Sequence, residues 1–243
     1  MAVFIATLLF FLIGSVEAHA QNNWEYLSET PERLIGLLDL PDIVAGGCGP
    51  APNRATTRAF ATPSQNGPSV GTVFWHEERD VVCELMIEKA GGVKEVVPTL
   101  ESGYETSAAI VFERRGPWFR IRLKDGSAWI QHSNENDFLP YPEILRDNLP
   151  HTQQSWDGTL RARPGSSGPM TPLPSGWKAL LDRQLSIQYL GSQQVGNELW
   201  IHIRLAAKAS CGQTYEGVTD VEGWIPAYQA DRTPSAWFSS RGC

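Results

Sequence analysis

The sequence predicts an all-β protein made of two small β units in tandem, preceded by a short N-terminal helical segment. Its composition is typical of compact β structure, with 22 glycines, 17 prolines and nine tryptophans, whereas charged residues make up only 19%. A strand–turn–strand pattern with tryptophan in each strand also occurs twice, in residues 118–131 and again in residues 198–228. These two observations together indicate a duplicated β architecture.

The first copy of the pattern is "WFRIRLKDGSAWIQ", residues 118–131. Polar or aromatic residues alternate with apolar ones in "WFRIRL", so the segment is expected to form a strand with one polar face and one core face. Asp125-Gly126 is a dipeptide favoured in tight turns, and "SAWIQ" follows it as the antiparallel partner. The sequence thus specifies a hairpin locally.

The second copy repeats this design with a longer connection. "ELWIHIRL" (198–205) alternates in the same way, and "VEGWIPAY" (221–228) places Trp224 where the first copy has Trp129. The turn between them carries an insert, residues 206–220. We interpret the two copies as an internal duplication, with a first unit over residues 48–150, a linker or packed loop over 151–176, and a second unit over 177–243.

The first twenty residues are typical of a secretory signal. The apolar run from Val3 to Ile13 is too short for a permanent membrane helix, and Ala18-His19-Ala20 offers small residues at a cleavage site. We therefore expect an exported protein, periplasmic or extracellular, with no membrane span in the mature chain. The formal net charge of −7 does not favour nucleic acid as a partner.

Residues 21–47 are predicted to form an N-terminal segment with one short helix. Thr30 can cap such a helix, and Pro31 suits its first position. Leu34, Leu37 and Leu38 would then share one helical face, and Pro41 would end the helix.

Four cysteines, all beyond the signal segment, predict two disulfide bonds in an oxidising compartment. They are Cys48, Cys83, Cys211 and Cys243. Their distribution favours Cys48–Cys83 and Cys211–Cys243, one bridge in each half, although three connectivities are open. Zinc is disfavoured because no two cysteines have Cys-x-x-Cys spacing.

The hairpin "GPWFRIRLKDGSAWIQ" resembles the closing hairpin of bacterial SH3-like domains, and "RAFATPSQNGPSVGTVFW" resembles the beginning of such a domain. "LWIHIRL" with "GWIPAY" matches the hairpin again, and the ending "WFSSRGC" resembles exported bacterial proteins of this kind. The resemblance implies two small SH3-like β-barrels, whose groove aromatics bind cell-wall peptides in some members. This chain departs from the pattern in its inserts, its cysteines and the absence of a recognisable hydrolase domain.

No catalytic motif emerges, and neither a metal nor a cofactor is predicted. "HEERD" (76–80) lacks the second histidine of a zinc-protease signature. A Gly-x-Ser-x-Gly elbow and a phosphate-binding loop are also missing from the sequence. A paired-carboxylate site stays open, because such a pair forms only in space.

Aromatic residues other than the repeated tryptophans are the preferred ligand candidates, since the duplicated tryptophans suit a structural role. These candidates are Tyr104, Tyr141, Tyr228 and Trp237. Arg120, Arg122 and Arg204 form either a solvated cationic face or partners for acidic ligand groups. The predicted function is an exported, non-enzymatic binding module of the cell envelope for a peptide or protein, with peptidoglycan as one candidate. The alternatives are a cell-wall hydrolase or amidase, and a structural or inhibitory partner of an envelope enzyme.

Overall fold

The computed structural model describes residues 33–40, 56–78, 82–103, 106–154, 156–208, 212 and 214–239. This part of the chain is all-β, as predicted, with α-helix confined to α1 (Tyr141–Asp147) and α2 (Ser175–Lys178). Neither helix is long and apolar enough to cross a membrane, within the described ranges.

The first half forms a ten-stranded antiparallel sheet. Its strands are β1 (Gly36–Leu38), β2 (Thr57–Phe60), β3 (Ser69–Glu78), β4 (Val82–Lys89), β5 (Lys94–Val96), β6 (Thr99–Gly103), β7 (Thr106–Arg115), β8 (Trp118–Leu123), β9 (Gly126–Gln131) and β10 (Phe138–Pro140). They are ordered β10-β1-β7-β8-β9-β2-β3-β4-β5, and β6 also pairs with β7.

The second half forms a five-stranded antiparallel sheet and a two-stranded one. Its strands are β11 (Leu149–Thr152), β12 (Leu160–Arg161), β13 (Met170–Thr171), β14 (Ile187–Val195), β15 (Glu198–Leu205), β16 (Val221–Pro226) and β17 (Ala236–Ser239). The five-stranded sheet has the order β13-β12-β16-β15-β14, while β11 pairs with β17. The segment 151–176 therefore contributes β12 and β13, and its Trp156 is buried.

The two halves correspond in strand order and in register. Strands β7-β8-β9-β2-β3 of the first unit follow one another in the same order as β14-β15-β16-β12-β13 of the second. Arg120 lies opposite Trp129, and His202 lies opposite Trp224 in the same way. Among the described residues each sheet pairs as an open path, so closure into a barrel stays a prediction.

The predicted N-terminal helix is wrong for the residues of this segment that the structure describes. Leu37 and Leu38 lie in β1, which pairs with β10 on one side and with β7 on the other. Leu37 contributes to one buried cluster and Leu38 to another, so the strand is apolar on both faces. A strand that is covered on both faces does not alternate between apolar and polar residues. Its continuous apolar run therefore cannot be distinguished from a buried helical segment by periodicity. Thr30 and Pro31 lie outside the described residues.

The two units share one core. A single buried cluster joins Leu37 and Ile110 of the first half to Trp177 and Ile203 of the second. A second cluster, which includes Phe119 and Ile121, belongs to the first half alone. Direct hydrogen bonds also cross the junction, since the Tyr228 hydroxyl donates to the Leu34 carbonyl over 2.6 Å.

Candidate functional site

Three of the predicted aromatic candidates meet at the junction of the two units. The ring centroid of Tyr141 lies 5.6 Å from that of Tyr228 and 5.9 Å from that of Trp237. Tyr141 is 0% exposed and Trp237 only 7%, so both rings pack in the core and offer no surface to a ligand. Tyr104 lies outside the described residues.

The two tyrosine hydroxyls of this cluster act as hydrogen-bond donors. Tyr141 donates to the Ala236 carbonyl over 2.6 Å, and Tyr228 donates to Leu34. Burial raises the pKa of Tyr141 well above its ordinary value. Burial also raises the pKa of Tyr228, with the nearby Arg33 opposing it. Both phenols therefore stay protonated and serve as structural donors.

The three candidate arginines do not form a free cationic face. Arg120 donates to Glu113 over 3.1 Å, and Arg204 donates to Glu222 over 2.6 Å. Arg122 is 2% exposed, so its side chain is not on the surface. A hydrogen bond from Arg115, aided by Arg120, lowers the pKa of Glu113, so this carboxylate stays charged beside its arginines.

The duplicated tryptophans pack against their own sheets. Trp129 and Trp200 are buried. Trp118 meets Phe60 edge-on with ring centroids 5.7 Å apart, and Trp224 stacks on His202 at 4.8 Å. These contacts agree with the packing role that the repeated positions predicted.

A groove that the sequence did not single out lies beside the start of β14. It has a volume of about 280 Å³ and runs between the C-terminal end of α1 and residues 186–189. Its polar and charged lining consists of Arg146, Asn148, Ser186, Gln188, Tyr189 and Lys208. These residues come from separate parts of the chain, so no local motif could have revealed the groove.

The groove carries positive charge. Lys208 is exposed, and no carboxylate pairs with it among the described residues. Arg146 lies at the other wall and donates to Asp147 over 2.8 Å, a bond that lowers the pKa of Asp147. Burial lowers the pKa of His151, whose strand is bridged to Ser186, so this imidazole is neutral at pH 7. The groove thus suits a ligand with hydrogen-bonding groups and a carboxylate.

Neither the cysteines nor the histidines assemble a reactive centre in the part that is described. No group of three or more His, Cys, Asp and Glu residues could hold a metal there. His76 of "HEERD" lies in β3, with its ring edge-on to Phe74. His132 binds Asp137 over 2.6 Å, which ties the residues after β9 to those before β10. Cys83 lies in β4, whereas Cys48, Cys211 and Cys243 lie outside the described residues, so the disulfide pairing stays a prediction.

No protein-family model, curated protein or solved structure matches this chain. The likeness to bacterial SH3-like domains therefore stays a prediction that rests on the hairpin motifs.

Proposed function

We propose that this protein is an exported, non-enzymatic binding module of the cell envelope that recognises an extended peptide or protein segment. The observation that carries the proposal is the groove between α1 and β14. It combines the exposed Lys208 with hydrogen-bonding side chains, and it follows four consecutive residues of the chain, 186–189. A cleft that follows consecutive backbone residues suits an extended polymer better than a compact small molecule.

The place of action is inferred from the first twenty residues. Their apolar run and the Ala-His-Ala sequence before Gln21 support export. Peptides and proteins with free carboxylates are abundant in a bacterial cell envelope, and the exposed lysine of the groove suits such groups. The resemblance to SH3-like domains points to the same class of ligand.

Binding assays with two probes test this function. The purified protein is incubated with purified cell-wall sacculi and, separately, with a display library of random L-peptides. We expect the protein to bind at least one of the two probes. We also expect Lys208→Glu to weaken that binding by about tenfold, because the substitution places a carboxylate next to the carboxylate of the ligand.

Lys124→Glu is the matched control, since Lys124 is exposed in the turn between β8 and β9 of the first unit. It makes the same charge change and should bind as the wild type does. Retention of neither probe would refute the proposal. Clearing of wall material in a zymogram by the wild-type protein would support the hydrolase alternative instead.

A further inference from the structure

The five-stranded sheet of the second unit has one face in the core and one face turned away from it. Ile201, Ile203 and Ile225 are fully buried in the cluster that the two units share. Side chains alternate between the faces of a sheet, so His202 and Trp224 lie on the other face. Both side chains are only half-buried, and they are direct neighbours across β15 and β16. This outer face therefore presents two part-exposed aromatic rings.

The two rings form a parallel stack with an open space on one side. Their centroids are 4.8 Å apart, and their planes differ by 9°. Gly191, His202 and Trp224 follow one another across β14, β15 and β16. A Cβ placed on Gly191 would meet nothing within 4 Å. The imidazole face that points away from Trp224 thus borders an open space above Gly191.

The first unit fills the corresponding position with a side chain. Glu113 lies opposite Arg120 there, as Gly191 lies opposite His202 in the second unit. Glu113 accepts a hydrogen bond from Arg120 over 3.1 Å and another from Arg115 over 2.7 Å. A carboxylate with two arginine partners thus stands where the second unit has only a glycine.

The first unit also covers the tryptophan that corresponds to Trp224. The Arg115 guanidinium lies over the Trp129 ring, 5.1 Å from its centre, and only 5% of Trp129 is exposed. The residue of the second unit that corresponds to Arg115 is Gln193, which is exposed. The second unit therefore keeps the tryptophan and lacks the glutamate and the arginine that cover it in the first.

Polar side chains continue the outer face beside the two rings. Arg204 donates to Glu222 over 2.6 Å and to the side-chain carbonyl of Gln188 over 3.1 Å. The second carboxylate oxygen of Glu222 lies 4.0 Å from His202 Nε2. These planar groups include both donors and acceptors, and the arginine and glutamate charges balance. The row can therefore bind a ligand that carries several hydroxyl groups.

We propose that this outer face is a carbohydrate-binding site, at which a sugar ring lies over Gly191 beside the stacked His202 and Trp224. A sugar ring has a face of C–H groups, which packs against an aromatic ring, and a rim of hydroxyl groups. Arg204 and Glu222 bind hydroxyls at that rim through charge-assisted hydrogen bonds. This activity goes beyond the peptide recognition proposed for the groove.

The charges around Trp224 favour a sugar over a basic peptide. Arg161 lies opposite Trp224 on β12, where the first unit has the uncharged Phe60 opposite its tryptophan. Glu222 already pairs with Arg204, so the positive charge of Arg161 is left in excess on this part of the face. A basic ligand would be repelled there, whereas a neutral or acidic sugar would not.

An oligosaccharide array followed by NMR tests the site in the wild-type protein. The array carries unbranched neutral and acidic oligosaccharides, and the one retained most strongly is then titrated in solution. We expect the signals of the Trp224 indole and the Gly191 amide to shift. The signal of the Trp129 indole, which is buried in the first unit, should stay unchanged. Retention of no oligosaccharide, or binding that moves neither Trp224 nor Gly191, would overturn the inference.

A pair of variants tests the open position by affinity. Gly191→Glu introduces the side chain that Glu113 provides in the first unit, in a place that has room for it. We expect the affinity for the oligosaccharide to fall at least about tenfold. Gln194→Glu is the matched control, because it adds the same charge to the same strand opposite Leu199, which packs on the core side of the sheet. Equal affinity in Gly191→Glu and Gln194→Glu would contradict the site, and the NMR titration does not depend on how well either variant folds.

The outcomes separate the carbohydrate site from the groove, although Gln188 lines both. Lys208→Glu should leave oligosaccharide binding unchanged, and Gly191→Glu should leave peptide binding unchanged. Capture of peptides without any oligosaccharide leaves the proposed function standing and overturns the carbohydrate site. Capture of oligosaccharides without peptides or sacculi supports the carbohydrate site and refutes the proposed function.

Discussion

Tyr141 joins the two units through its hydroxyl group and its ring. The side chain comes from α1, between the two large sheets in the sequence, and is fully buried. Its hydroxyl donates to the Ala236 carbonyl, and its ring stacks on Trp237 with an interplanar angle of 17°. A residue that the sequence suggested as a ligand contact thus holds the C-terminal strand against the rest of the molecule.

Tyr141→Phe should destabilise the protein, because it leaves the buried Ala236 carbonyl without this donor. We expect the free energy of unfolding to fall by about 1–3 kcal/mol in urea denaturation. Tyr189→Phe removes the same atom from a half-buried ring in the groove and should change stability by less than about 0.5 kcal/mol. Equal losses in the two variants would show that the Tyr141 hydroxyl has no special structural role.

The aromatic candidates show where sequence interpretation stops at this scale. Tyr141, Tyr228 and Trp237 could be grouped from the sequence because none of them is one of the repeated tryptophans. Their burial depends on how the second unit packs against the first, and no local pattern encodes that packing. The groove was not predictable for the same reason, because its lining residues, such as Arg146 and Lys208, lie far apart in the chain.

The loops between β2 and β3 and between β12 and β13 are a further repeated element. Residues 61–68 and 162–169 both follow Ala-x-Pro-x-x-x-Gly-Pro. Their hydrogen bonds also correspond, since Ala61 donates to Pro68 over 2.9 Å and Ala162 donates to Pro169 over 2.8 Å. The duplication therefore extends to the first hairpin of each unit.

Gly168→Ala should destabilise the second of these loops. A Cβ there would clash with the Arg163 carbonyl oxygen, a backbone atom that cannot move without opening the loop. We expect a loss of about 1–3 kcal/mol in the free energy of unfolding, measured in urea. Gly191→Ala is the matched control, because a Cβ at Gly191 meets nothing within 4 Å. An unchanged stability in Gly168→Ala would contradict the close approach.

At the element scale, alternation predicted the strands with one buried face and failed elsewhere. Strands β8 and β15 were predictable because their apolar residues recur at every second position. Strand β1 was not, since both of its faces are covered. The strands β12 and β13 have only two residues each, too few for any period to be visible, so their segment was expected to be a linker or packed loop.

At the scale of the whole molecule, the shared core makes the two units depend on each other. The cluster that contains Leu37 and Ile110 also contains Trp177 and Ile203, so neither sheet can lose its packing alone. Arg33 adds a polar link by donating to the Asn197 carbonyl over 3.0 Å. Chains whose domains are joined by such a continuous apolar core are expected to unfold as one unit.

Ile121→Val and Ile203→Val test this cooperativity, because the two isoleucines occupy corresponding positions and both are fully buried. Each substitution should lower the free energy of unfolding by about 0.5–1.5 kcal/mol through the loss of one buried methylene. If the protein unfolds as one unit, either change shifts the urea midpoint equally for amide signals of β8–β9 and of β15–β16, followed by NMR. The double variant should lose roughly the sum of the two single losses. A midpoint that moves only in the unit carrying the substitution would show that the units unfold separately despite their common core.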